Sequence, residues 1–143
     1  MTAVATPAQE REIPSPAVTP DIAAYFEAAA EGRLLIKGCR ACGRLHHYPR
    51  SICPHCMSDD TGWVPSRGEG RVYTYSVLRV GTPTPFALAY VRLDEGVTMM
   101  TNIVDCDLDA LRVDLPVRVV FKPSADGTMV PMFAPTGAPG RGP

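Results

Sequence analysis

Nowhere in this sequence do apolar residues run for the ~18 consecutive positions that a membrane-crossing helix needs, although 45% of its 143 residues are hydrophobic. It has no glycine-rich phosphate loop between a strand and a helix, no Ser/His/Asp order, and no paired carboxylates in a candidate cleft. Histidine is scarce. All three, His46, His47 and His55, fall in one short stretch. No lysine-rich run is present, which argues against a basic stripe for nucleic acid. The start MTAVATPAQEREIPSP lacks a basic opening followed by an apolar run, so the expectation is a cytoplasmic chain with reduced thiols. These absences leave little room for a free-standing enzyme. They point instead to a binding or accessory role.

What is present is a cysteine pattern. Residues 39–56 read CRACGRLHHYPRSICPHC, with two Cys-x-x-Cys pairs ten residues apart: Cys39 with Cys42, and Cys53 with Cys56. Four thiolates at this spacing can close a tetrahedron around Zn²⁺. Gly43 permits the tight turn after the first pair, and Pro54 stiffens the second. The same four sulfurs would also hold iron, and a disulfide pair is the remaining alternative. A catalytic zinc keeps an open position, whereas four cysteines fill every place, so the expected metal is structural and the histidines are not its ligands. Cys106 stands alone and reads as a small core hydrophobe.

The net charge of −1 is unevenly spread. Residues 1–32 carry five acidic side chains against Arg11, while residues 33–71 carry seven basic against three acidic. The cysteine half is therefore where a phosphate-bearing ligand would be met.

Residues 1–18 are rich in Pro, Ala and Thr and read as a disordered or partner-draped arm. Thr19-Pro20-Asp21 then reads as a helix start, and Gly32 as its stop, giving a helical segment over 19–32. Ile22, Tyr25 and Phe26 share one face of it. With so little core nearby, that face is expected to dock on another subunit. Residues 33–67 form the ribbon, with a strand at Leu34-Leu35-Ile36 and a linker from Pro65 to Gly70. From Arg71 the apolar pattern has period two, placing Tyr73, Tyr75 and Val77 on one face. Strands follow at 86–93, 97–104, 117–122 and 128–133, with helical turns near Asp107–Leu111 and Pro131 marking an edge. The expected fold class is mainly β: an N-terminal helix, a four-cysteine zinc ribbon, then a five-stranded OB-fold barrel over 68–135. Residues 136–143 read as a flexible tail.

The N-terminal helix, Gly38-Cys39, the Cys-x-x-Cys-Gly run, Tyr48-Pro49-Arg50 before Cys53-Pro54-His55-Cys56, and Gly68-x-Gly70 opening an aromatic strand combine into a resemblance over about residues 20–135. The sequence is similar to the rubredoxin-like zinc-ribbon/OB-fold proteins that accompany acyl-CoA enzymes. That resemblance implies a subunit without catalytic residues of its own, working beside a thiolase-like or hydratase-like partner in a hetero-oligomer and helping to form or cover an acyl-CoA site. An acyl-CoA ligand would want an apolar lining and positive charge for its phosphates. Tyr73, Tyr75 and Phe86 could supply the first, and Arg40, Arg44 and Arg50 the second. The competing class is a single-stranded nucleic-acid binder, since zinc ribbons and OB-folds also serve there.

Overall fold

The computed structural model describes residues 11–136. A three-residue 3-10 turn, Pro20–Ile22, runs into helix α1, Ala23–Ala30. Thr19 stands just before it with an extended backbone, but its hydroxyl donates to the Asp21 carboxylate and caps no amide. Gly32, at φ 78°, turns the chain so that Gly32 N–H reaches Ala29 C=O and Arg33 N–H reaches Ala28 C=O. Leu34–Cys39 (β1) then pairs antiparallel with Leu45–His46 (β2) on one side and Thr61–Ser66 (β3) on the other.

The segment expected to be a linker is therefore in part a strand. β3 matches β1 from Leu34 opposite Ser66 to Cys39 opposite Thr61, with Pro65 facing Leu35 on an edge where its missing N–H breaks no ladder.

The barrel is built from Glu69–Leu78 (β4), Phe86–Leu93 (β5), Thr98–Ile103 (β6), Pro116–Pro123 (β7) and Met129–Pro135 (β8), closed in the order β4-β5-β6-β8-β7. The cyclic order, with β6 and β8 parallel and the other pairs antiparallel, is that of an OB-fold. Pro131 does not mark a free edge. It is buried opposite Phe121 of β7, and β8 meets β6 at the single position Ile103–Phe133, which leaves room for a residue without an amide hydrogen. A second departure lies in β4, where a bulge between Val72 and Thr74 breaks the period-two pattern. Beyond it Tyr75 faces Ala89 and Val77 faces Ala87, while Tyr73 is left exposed. Tyr73 thus does not share a face with Tyr75 and Val77.

The helix is not left for another subunit. Ile22, Tyr25 and Phe26 are buried in one core with Leu34 and Ile36 of the ribbon and Val72, Val91, Ile103, Val117 and Phe133 of the barrel. An amphipathic helix of eight residues gains its stability by covering apolar surface, and here the ribbon sheet and the barrel supply that surface within the same chain. The seam is fastened at its rim by Glu95, whose carboxylate accepts from Ser66 Oγ (3.0 Å) and Arg67 N–H (2.9 Å). Gly70 is required where the seam enters the barrel, since a Cβ there would sit 2.3 Å from the Arg92 carbonyl oxygen.

Of the arm expected over 1–18, residues 1–10 lie outside the described residues. Residues 11–18 carry no regular element, yet Ala125 N–H donates to Ile13 C=O (2.9 Å) and Asp126 N–H to Ser15 Oγ (2.9 Å). The tail from 137 on is likewise outside the described residues. Among the described residues, no helix is long and apolar enough to cross a membrane.

Candidate functional site

The two Cys-x-x-Cys pairs form two knuckles of the same design. Gly43 N–H donates to Cys39 C=O (2.8 Å) and Met57 N–H to Cys53 C=O (2.9 Å). Both turn residues have left-handed backbones, Gly43 at φ 76° and Met57 at φ 69°. In the first knuckle glycine takes that conformation freely, while in the second a methionine holds it. The turns bring Cys39, Cys42, Cys53 and Cys56 together with their sulfurs all within 4.8 Å of one another.

A zinc–sulfur bond of about 2.3 Å in a regular tetrahedron requires sulfurs about 3.8 Å apart. Cys39 Sγ to Cys56 Sγ is 3.6 Å and Cys42 Sγ to Cys53 Sγ is 3.7 Å. The donor set and its spacing fit a four-thiolate structural zinc, which these four residues would hold.

Backbone amides already point at the sulfurs: Cys42 N–H at Cys39 Sγ (3.4 Å) and His55 N–H at Cys53 Sγ (3.3 Å). The Cys42 amide draws the Cys39 thiol down to about 7. Ser58 N–H lowers Cys56, but the sulfurs of Cys39, Cys42 and Cys53, together with burial, push it up to about 12. Thiolates this close repel, so a second or third ionises only with a cation among them.

The three histidines lie outside the sulfur cluster. His46 is buried, and its Nε2 accepts from Arg50 N–H (3.4 Å). His47 packs against Tyr25, Tyr48 and the ribbon's edge, with Nε2 3.0 Å from the Tyr25 hydroxyl. Burial drives its pKa down to about 4, with the charge of His46 adding to the effect, and burial likewise raises Tyr25. The neutral phenol therefore donates and the neutral imidazole accepts. His55 Nε2 lies 3.3 Å from Leu45 C=O. Cys106 is buried in the core, where desolvation first and then Asp107 and Asp105 push its thiol up to about 11, a setting for an inert thiol.

The six residues proposed for acyl-CoA are not gathered in one place. Arg40 is engaged at the first knuckle, bonding Asp60 (2.9 Å) and Thr61 C=O (3.1 Å). Arg44 is exposed, and Arg50 lines a groove with His46, Tyr48, His55 and Thr98. Tyr73 sits on the outer face of the barrel with the Arg92 guanidinium 4.9 Å from its ring centre. Tyr75 reaches across to donate to Leu111 C=O (2.9 Å). Phe86 lines a different cavity beneath Arg11.

Sequence reasoning missed the outer face of β4, β5 and β6. Leu78, Leu88, Tyr90 and Met100 are exposed there beside Tyr73, with Tyr90 registered between Thr74 and Met100. Strict alternation in β5, with Ala87, Ala89 and Val91 inward, was the available signal: its outward positions hold Leu88 and Tyr90, where a solvated sheet would carry polar residues.

Comparison with known proteins fits this geometry. Residues 26–62 match the family model of the rubredoxin-like zinc ribbon domain of ChsH2, and residues 63–122 that of the ChsH2 C-terminal OB-fold domain. The chain is 36% identical, over 85% of its length, to a probable enoyl-CoA hydratase alpha subunit of Thermomonospora curvata, of which it spans only 40%. It is 31% identical to the benzoylsuccinyl-CoA thiolase subunit BbsA of Geobacter metallireducens, covering 73% of this chain and 72% of that one. A chain of the solved Ltp2-ChsH2(DUF35) aldolase superposes with a TM-score of 0.72 at 36% identity, over 85% of this chain and 98% of its own.

Proposed function

Because this chain belongs to the ChsH2 family of rubredoxin-like zinc-ribbon and OB-fold proteins, we propose that it is a non-catalytic scaffold subunit of an acyl-CoA-processing complex. Its partner is a catalytic subunit of thiolase or condensing-enzyme type, and the scaffold helps to form or cover that subunit's acyl-CoA site. The thiolase subunit, of which this chain spans 72%, supports this choice over a hydratase partner, since the chain spans 40% of the hydratase alpha subunit. The observation that carries the reading is the exposed apolar face of β4, β5 and β6. Five large side chains, Tyr73, Leu78, Leu88, Tyr90 and Met100, stand exposed on adjacent strands of a barrel whose inward side chains form a buried core of their own. Scattered apolar residues on a surface are ordinary, but a contiguous set marks a place where something docks.

The role of zinc in this reading is mechanical. Bound by Cys39, Cys42, Cys53 and Cys56, it would contribute folding energy to the ribbon, whose Leu34 and Ile36 share the barrel's core. Arg50 and Arg44, on the exposed side of the ribbon, are the cations left to face the phosphates of a shared acyl-CoA.

One observation favours a second reading: Tyr73 and Tyr90 stand with Arg71 and Arg92 on the barrel face that many OB-folds use for single strands. The two readings separate cleanly. The full chain is co-expressed with a thiolase-type subunit from the same source and purified by a tag on either one, and it is also titrated with a labelled oligonucleotide at two salt concentrations. Stable co-elution with no oligonucleotide binding is expected. Tight binding that falls steeply with salt, with no enzyme retained, would assign the face to nucleic acid.

A further inference from the structure

We propose that the cavity under the N-terminal arm, at one end of the barrel, is a binding site for a small apolar monocarboxylate that pairs with Arg11. The cavity has a volume of about 310 Å³, and its apolar wall includes Ile13, Phe86, Ile103, Phe121 and Met132. That lies at the small end of the range for ligand pockets, enough for a compact acid and too little for a whole nucleotide-bearing cofactor. One side of it is made by the arm, which the two hydrogen bonds from the β7–β8 turn to Ile13 and Ser15 hold in place.

The polar rim is built from three linked groups. Asn102 Nδ2 donates to Ala87 C=O (2.9 Å), which fixes the amide so that its oxygen faces the arm. That oxygen accepts from Arg11 Nη2 (3.1 Å), and the guanidinium carbon lies 4.0 Å from the centre of the Phe86 ring. The guanidinium is thereby stacked and oriented before any ligand arrives, and among the described residues one of its nitrogens, Nη2, donates a hydrogen bond. Lys122, on the same rim, is already neutralised by Asp105 at 2.9 Å. Arg11 is not, since among the described residues it forms no ion pair. Burial disfavours its charged form, so an anion in the cavity would recover electrostatic energy that this arrangement now lacks. An apolar wall facing one oriented, uncompensated guanidinium selects a ligand with an apolar body and a single carboxylate, which the planar fork can take with two parallel bonds.

The test uses the full zinc-loaded chain titrated with octanoate and with octan-1-ol by calorimetry, alongside Arg11→Gln. Saturable octanoate binding is expected, with octanol weaker by about tenfold or more, the scale of one lost charge-assisted contact. R11Q should lose that preference and bind the two alike. Methyl NMR of the wild-type chain supplies a readout that no variant can confound. The Met132, Ile13 and Ile103 methyls should shift, and the Met100 methyl, on the outer face of β6, should not. Equal binding of octanoate and octanol by the wild type, unchanged preference in R11Q, shifts centred on Met100, or no binding at all would each overturn the proposal.

Discussion

Met57 is held at φ 69° in a turn that its counterpart Gly43 makes at φ 76°. A left-handed backbone costs an L-residue about 1–2 kcal/mol, part of which glycine would give back as extra freedom in the unfolded chain. Because Met57 is 73% exposed, little packing is lost with its side chain. Met57→Gly should therefore stabilise the ribbon by up to about 1 kcal/mol, seen as a higher chelator concentration at the unfolding midpoint. A lower midpoint would mean that the thioether makes a contact worth more than the strain.

At the sulfurs, Cys53→Ser removes a fully buried ligand. Metal analysis should find the variant without its zinc, and its thermal midpoint should fall well below that of the wild type, because a structural site contributes folding energy outright. Retention of both would remove the metal from the fold. His47 contributes a pH dependence, and His46, also lowered by burial, acts in the same direction. The folded pKa of His47, about 4, lies below the ordinary value of 6.5, so the unfolded chain binds the extra proton between those values. Stability is then full above about pH 6.5 and is lost as pH falls towards 4, by about 3 kcal/mol if His47 acted alone. His47→Gln should flatten the pH slope of the unfolding free energy in that window, and an unchanged slope would place the proton elsewhere.

Among the elements, helix α1 shows what could and could not be read from the chain. Its position and its buried face, Ile22, Tyr25 and Phe26, follow from local signals: Pro20 opening it, Gly32 closing it, and apolar residues recurring at helical spacing. Its destination does not, because which surface covers an apolar stripe is decided by residues far away. Here β1 and the barrel cover it, where a partner subunit was expected. The strands β5, β6 and β7 were legible for the same local reasons, and the four-cysteine centre was legible because metal ligands at fixed spacing carry their own geometry. β3 was not, because Gly62 and Pro65 make it look like a linker until β1 lies alongside. The bulge in β4 was equally hidden, since nothing between Val72 and Thr74 announces an extra residue. Phe26→Ala is the measurement that belongs to this scale. With Phe26 7% exposed and shared between ribbon and barrel, the cost should be about 3–5 kcal/mol in denaturant unfolding. A loss below about 0.5 kcal/mol, the scale of a surface change, would return the helix to the role of a docking element.

For the molecule as a whole, the ribbon and the barrel share one core, so the outer face of β4, β5 and β6 is presented on a rigid body. A change there should separate association from folding. Substitutions at exposed positions generally shift stability by no more than about 0.5 kcal/mol, whereas a central aromatic in an interface costs about 2 kcal/mol or more when it is lost. Tyr90, flanked on the face by Leu88 and Met100 and 44% exposed, is the central position. Tyr90→Asp should leave the thermal midpoint and zinc content unchanged while weakening capture of the catalytic subunit by about thirtyfold, the equivalent of 2 kcal/mol. Ala125, exposed in the turn that joins β7 to β8, supplies the control: Ala125→Asp adds the same charge outside β4, β5 and β6 and should not alter capture. If both variants bind the partner as the wild type does, the face is not the contact. If both weaken it equally, the loss is one of general charge, and the apolar character of the face plays no part in it.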